Sequence, residues 1–147
     1  MLKEKDFRII PHLRSNSRKK ITQMSKELGI PVTTIYDRIK AQEKKLIRKY
    51  TALMNFGALG YHTKALIALK ISSSREEFEK FIRSHPSTNS FYKINYDYDY
   101  LVEAVFKDMK EANEFTEQLR CNFGVLYFKT FFILDDIERE VFLPKNE

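Results

Sequence analysis

The feature that most constrains the fold of this 147-residue chain is the tripeptide Gly29-Ile30-Pro31. Before it, Ile21, Met24 and Leu28 recur at helical spacing; after it, Ile35, Ile39 and Gln42 mark a second inward face. Gly29 supplies the left-handed backbone that ends a helix cheaply, and Pro31 suits the first turn of the next. The pattern predicts helices from Ile21 to Leu28 and from Pro31 to about Lys45. Ser25, four positions before the glycine, is small enough to let the two helices cross closely. Together these are helix-turn-helix spacing. Upstream, Phe7, Ile10 and Leu13 predict an earlier helix facing the core. Pro11 should kink it, shorten it or start it nearer Arg8, because an interior proline costs a helix about 3 kcal/mol. Ser15-Asn16-Ser17 reads as the loop between the two. Downstream, Leu46 to Thr51 is strand-like and predicts a wing behind the third helix.

Charge separates this segment from the rest. Residues 1–50 hold 14 Lys/Arg against 5 Asp/Glu, an excess of +9, whereas residues 51–147 hold 12 against 15, or −3. A basic module joined to a mildly acidic remainder suggests a nucleic-acid-binding module attached to something else, with an unevenly charged surface as the alternative. The helix-turn-helix spacing makes double-stranded DNA the expected partner. A generic three-helix packing unit is the competing reading, and the glycine turn, basic surroundings and trailing strand weigh against it.

If Ile35 and Ile39 are core, then Thr33, Thr34, Tyr36, Asp37 and Lys40 face outward. The threonines suit a phosphate or a thymine methyl, Lys40 a guanine edge or a phosphate, and Tyr36 offers a hydroxyl and a flat apolar face. Asp37 can accept from cytosine or pair with Arg38 or Lys40. Thr34, Tyr36 and Lys40 lead this set, which Arg38 completes. Arg18, Lys19 and Lys20 on one side and Lys44, Arg48 and Lys49 on the other are phosphate candidates.

Residues 51–63 carry Gly57 and Gly60, two of only four glycines, and read as a hinge. A strand follows from Lys64 to Ile71, apolar on both alternating sets. Ser74, with Glu77 three residues on, caps a helix showing Phe78, Phe81 and Ile82, which stops before Pro86. Strands over Phe91–Tyr96 and Tyr98–Phe106 flank Asp97. A helix spans Lys110 to Arg120, a strand Val125 to Leu134, and Val141 to Leu143 adds a short final strand. The order is the ferredoxin-like βαββαβ arrangement, so the fold class is α+β. Such a sheet covers one face with helices. Consecutive Phe131, Phe132, Ile133 and Leu134 leave the other face apolar too, which predicts a homodimer packed through it.

Other classes have little support. No stretch approaches the ~18 consecutive apolar residues of a membrane span, and the first residues lack the apolar core of a secretory signal. Cys121, the single cysteine, removes disulfide frameworks and multi-cysteine metal sites and suggests a reducing, cytoplasmic setting. His12, His62 and His85 have no metal-ligand spacing. Asp97 and Asp99 are explained more simply by a tight turn than by a catalytic pair. The expectation is no enzyme, no metal and no cofactor.

The segment Ser25-Lys26-Glu27-Leu28-Gly29-Ile30-Pro31-Val32-Thr33-Thr34-Ile35-Tyr36-Asp37-Arg38-Ile39-Lys40 resembles the DNA-reading helices of the Lrp/AsnC (feast/famine) transcription regulators. Ile47 to Ala52 is similar to that family's wing. Asp99-Tyr100-Leu101 is similar to its aspartate-centred turn, and Gly124-Val125, Thr130 and Leu134 to its last core strand. The resemblance covers nearly the whole chain. It implies a winged helix-turn-helix at residues 1–50, a linker at 51–63 and a dimerisation and effector domain (RAM/AsnC type) at 64–147. It further implies dimers that assemble into tetramers or octamers, palindromic operator DNA and an amino-acid effector. The implied effector residues are Tyr96, Asp97, Asp99, Tyr100 and Thr130. Tyr96 stands where the family carries glycine and Phe128 where it often carries threonine, and both would crowd a small pocket. Gln42 replaces a usual inward leucine, and Lys44-Lys45-Leu46 lacks the glycine before the wing. The alternative function is a non-specific, architectural DNA-binding protein.

Overall fold

The computed structural model describes residues 1–143, so the last four residues of the expected 64–147 domain lie outside it. The chain forms two compact units, Met1–Leu53 together with the segment from Ile137, and Met54–Asp136. The secondary structure is α+β. Among the described residues no helix is long and apolar enough to cross a membrane.

The first unit holds α1 (Glu4–Ser15), α2 (Ile21–Leu28) and α3 (Val32–Glu43). Met24 from α2, Ile30 from the turn and Ile35 and Ile39 from α3 bury their side chains with Ile9 of α1. Gly29 adopts φ +65°, and its amide donates to the Ser25 carbonyl at 2.9 Å, closing α2 as its sequence predicts. The Arg8 guanidinium donates to the Leu28 carbonyl at 2.6 Å and satisfies another group left open by the helix end. Gln42 is buried beside Ile39, as the spacing requires.

Three expectations change here. First, α1 runs continuously through Pro11 and begins at Glu4. It buries Asp6 and Ile9, while Phe7, Ile10 and Leu13 are half-buried. Second, Leu46–Thr51 forms no strand among the described residues. The Gln42 carbonyl instead accepts from the amides of Lys45, Leu46 and Ile47 at 3.1, 2.8 and 2.9 Å, which turns the chain tightly off α3. A strand also needs a partner strand, and residues 1–53 of this unit form helices and loops only. Third, Val141–Leu143 forms no strand. The carbonyls of Glu140 and Phe142 accept from Arg14 of α1 at 2.8 and 2.9 Å.

The second unit opens with a 3₁₀ turn at Phe56–Leu59, capped by the Asn55 side chain, which accepts from the Ala58 amide at 3.3 Å. It continues as β1 (Thr63–Ile71), α4 (Arg75–Ser84), β2 (Thr88–Lys93), β3 (Tyr100–Phe106), α5 (Met109–Phe123) and β4 (Val125–Phe132). The strands form one antiparallel sheet in the order β2-β3-β1-β4. Ile67 stands opposite Val102 on one side and Thr130 on the other. One set of alternating residues (Ala65, Ile67, Leu69, Tyr100, Val102, Phe106) packs with Phe78 and Ile82 of α4 and Phe115, Leu119 and Phe123 of α5. Phe78 lies edge-on to Phe123 at 5.5 Å and to Phe91 at 6.0 Å between ring centres. The other set carries Leu66, Ala68 and Leu101, with Tyr92, Tyr127 and Phe131 exposed beside them.

Within this unit β2 lies about three residues earlier than the aromatic run suggests, and β3 begins at Tyr100 rather than Tyr98. The intervening residues form a turn in which the Asp99 amide donates to the Leu69 carbonyl at 2.7 Å and the Ile94 amide to the Asp99 carbonyl at 3.0 Å. α5 continues past Arg120 because Phe123 still reaches the core. It ends at Gly124, φ +53°, where an added Cβ would stand 2.8 Å from the Ser72 hydroxyl. Phe78→Ala removes the ring that touches both helices and sheet. Its expected cost to the second unit is about 3–5 kcal/mol, read as faster amide exchange in β1 and β3.

Candidate nucleic-acid interface

The geometry of α3 follows from its inward residues. With Ile35 and Ile39 buried, Thr33, Tyr36, Asp37 and Lys40 are exposed and Thr34 is half-buried. Positions 33, 36, 40 and 43 lie three and four residues apart and form one stripe along the helix. On that stripe the Lys40 ammonium donates to Glu43 Oε2 at 2.9 Å and lies 5.8 Å from the centre of the Tyr36 ring. The Tyr50 hydroxyl donates to Glu43 Oε1 at 3.2 Å. The hydrogen bond to Glu43 raises the Lys40 pKa, and the same bond holds the Glu43 carboxyl below its usual range. Glu43 and Tyr50 were not among the expected site residues. Their signal in the sequence is Glu43's place three residues after Lys40 and seven after Tyr36.

Arg38 behaves differently from the rest of its helix. Its guanidinium grips the carboxylate of Asp6 in α1, with Nε donating to Oδ1 at 2.8 Å and Nη2 to Oδ2. Asp6 is 1% exposed and its Oδ2 also accepts the Lys3 amide at 2.7 Å. The structure therefore turns Arg38 toward α1 and away from the outward stripe. The Arg38 hydrogen bond outweighs the burial penalty and lowers the Asp6 pKa.

Of the flanking cations, Arg18, Lys20, Lys44, Arg48 and Lys49 are exposed. Lys19 is half-buried, with its ammonium against Glu27 and at 2.8 Å from His12 Nδ1. The candidate phosphate contacts thus sit on both sides of α3, with Lys19 already engaged.

The residues expected to hold an effector separate into two kinds. Asp99 and Tyr100 are buried and bonded within the fold. Asp99 accepts from the Ile71 amide at 3.1 Å and from Arg75 at 3.1 Å, with Lys70 at 3.4 Å. Burial pushes its pKa up, but these donors outweigh burial and leave the carboxyl below its usual range. The Tyr100 hydroxyl donates to Glu79 at 2.8 Å. Tyr96 and Asp97 are exposed on the turn, where the Asp97 carbonyl accepts from the Tyr127 hydroxyl. Tyr96 has φ +60°, a backbone that costs a tyrosine on the order of 1 kcal/mol and a glycine nothing. Thr130 is half-buried on β4, which β1 separates from β3.

Residues 64–141 match the Lrp/AsnC ligand binding domain family. Similar curated proteins include the HTH-type transcriptional regulator FL11 of Pyrococcus furiosus, 30% identical over 146 residues, covering 98% of this chain and 97% of that one. The HTH-type transcriptional regulator Ptr1 of Methanocaldococcus jannaschii is 30% identical over 117 residues, covering 78% and 79%. Among solved structures, a Neisseria meningitidis transcriptional regulator complexed with L-methionine superposes with a TM-score of 0.85. It is 25% identical, and the match covers 95% of this chain and 94% of that one.

The Asp6–Arg38 pair has a defined pH signature. A carboxyl whose pKa is lower in the folded state contributes stability above its unfolded pKa and loses it as pH falls toward the folded value. Wild type should therefore lose stability below about pH 4, and Asp6→Asn should show a weaker loss over that window. At neutral pH Asp6→Asn leaves Arg38 without its anion, an expected cost of about 3 kcal/mol in urea unfolding.

Proposed function

The chain belongs to the Lrp/AsnC family of HTH-type transcription regulators, and from that premise we propose that it binds operator DNA sequence-specifically through α2, the Gly29 turn and α3. The observation that carries this reading is the outward stripe of α3, with Thr33, Tyr36 and Lys40 exposed on a unit rich in Lys and Arg. In this reading Thr33, Thr34, Tyr36, Asp37 and Lys40 meet base edges. Arg18, Lys20, Lys44, Arg48 and Lys49 meet phosphates, and Arg38 holds α3 in place from behind. Residues 1–50 in this reading form the DNA-binding domain, 51–63 the linker, and the sheet that follows, up to Asp136, the dimerisation and effector domain. The segment from Ile137 belongs to the helical unit rather than to the expected 64–147 domain.

The sheet face carrying Leu66, Leu101, Tyr92, Tyr127 and Phe131 supports a homodimer, because a monomer would leave those aromatic groups in water. Dimers of this kind can assemble further into tetramers or octamers. A two-fold dimer sets its two reading helices about 34–36 Å apart and asks for a palindromic site. A small-molecule effector, an amino acid by analogy with the methionine-bound relative, would act at the turn around Tyr96 and Asp97 and at Thr130. The protein works in the cytoplasm as a regulator of transcription rather than as an enzyme.

Selection of bound duplexes from a random library, at low and moderate salt, tests the reading. A palindrome recovered at both salts is expected. Uniform binding that salt erases, with a log–log slope of about −0.9 per phosphate contact, would instead mark an architectural DNA-binding protein. Lys40→Ala should weaken operator binding by about ten- to a hundredfold if it meets a base, measured by fluorescence anisotropy. Phe131→Glu should dissociate the dimer in analytical ultracentrifugation, and an unchanged sedimentation coefficient would remove the interface.

A further inference from the structure

Glu43 is out of place by local rules. It is the last residue of α3, where the negative end of the helix dipole disfavours a carboxylate. It also lies on the face of a basic unit that is to meet polyanionic DNA. Yet the fold holds it charged, between the Lys40 ammonium at 2.9 Å and the Tyr50 hydroxyl at 3.2 Å. A residue that breaks a local preference and is nevertheless bonded through both carboxylate oxygens points to function.

Lysine's four-carbon stem and three donors let it reach almost any phosphate, so an unrestrained lysine adds affinity without discrimination. Lys40 spends one donor on Glu43 and sits over the Tyr36 ring, which leaves two donors for DNA. Glu43 also repels the phosphate backbone that a free lysine would otherwise seek. Resting on the DNA-binding reading above, we propose that Glu43 is a positioning residue that sets sequence specificity, by fixing Lys40 over Tyr36 as a donor for one base edge and denying it to phosphates. The acceptor such a donor fits is the O6/N7 edge of guanine in the major groove. The Tyr50 hydroxyl fixes the carboxylate in turn.

The test compares full-length wild type and Glu43→Gln on the selected operator and on a random duplex of equal length, across a salt series. Glutamine keeps the size and removes the charge. Operator affinity should fall while random-duplex affinity rises, so that their ratio drops about tenfold. The salt slope on the random duplex should steepen by about one contact per subunit. Glu43→Asp should recover part of the ratio. In a Lys40→Ala background, Glu43→Gln should leave the ratio unchanged, because no lysine remains to be placed. Equal changes on both duplexes would overturn the inference and leave the DNA-binding reading standing, as would an effect that persists without Lys40. Failure of wild type to bind any duplex at low salt would overturn both.

Discussion

A carboxylate taken out of water must be neutralised where it lies, and this requirement organises the N-terminal unit. Asp6 is buried on α1 and cannot stay charged without donors. It finds them in the Lys3 amide and in both arms of the Arg38 fork, so one side chain caps α1 and clamps α3. The clamp fixes the rotation of α3 about its own axis more tightly than aliphatic contacts do, since a bidentate pair has one geometry and a methyl group many. The orientation of the stripe carrying Thr33, Tyr36 and Lys40 follows from it. α1 continues through Pro11, with Asp6 and Ile9 buried in its N-terminal half.

The two units solve different problems with charge and apolar surface. The sheet unit gathers its aromatic rings around Phe78 and keeps its one buried acid, Asp99, tied to the Ile71 amide and Arg75. Those bonds anchor the start of β3, and the turn before it holds Tyr96 in a left-handed backbone. The N-terminal unit spreads cations over its surface and then restrains particular ones, Lys19 against Glu27 and Lys40 against Glu43. Each of these ion pairs limits the reach of a long, flexible lysine.

Much of this was legible in the sequence where local rules act alone. Gly29 and Pro31 bracket α2 and α3 because backbone conformation at those residues is nearly forced. The inward faces follow from Ile21, Met24, Ile35, Ile39 and Gln42 at helical spacing. The βαββαβ order was legible because Ser74 and Pro86 bracket the first of its helices and apolar runs mark the strands. β2 was displaced because Thr88-Asn89-Ser90 carries little apolar signal, whereas the run to Tyr96 looks strand-like and is in fact a turn. Leu46–Thr51 and Val141–Leu143 have strand composition, but pairing is decided by available edges, which composition does not encode. Arg38 read as a surface cation because its partner lies 32 residues away. The pairing of Glu43 with Lys40 and Tyr50 was hidden for the opposite reason: an acid on a charged helix face looks like ordinary solvated surface until its two partners are seen.

The segment after β4 changes the topology of the whole chain. The Ile133 amide donates to the Lys64 carbonyl at 2.8 Å and Lys64 pairs with Asp136, so the sheet unit begins and ends at one place. The chain then returns to the unit that contains its own start, where Arg14 meets Glu140 across 126 residues of sequence. In effect the sheet is an insertion within the helical unit. Closing so long a loop in a disordered chain would cost about 4 kcal/mol in entropy, and the folded sheet removes that cost by bringing its own ends together. On loop-closure entropy alone, the Arg14 clasp costs less to form once β1 and β4 have paired. Any disturbance at that pair reaches the helical unit along two covalent paths rather than one.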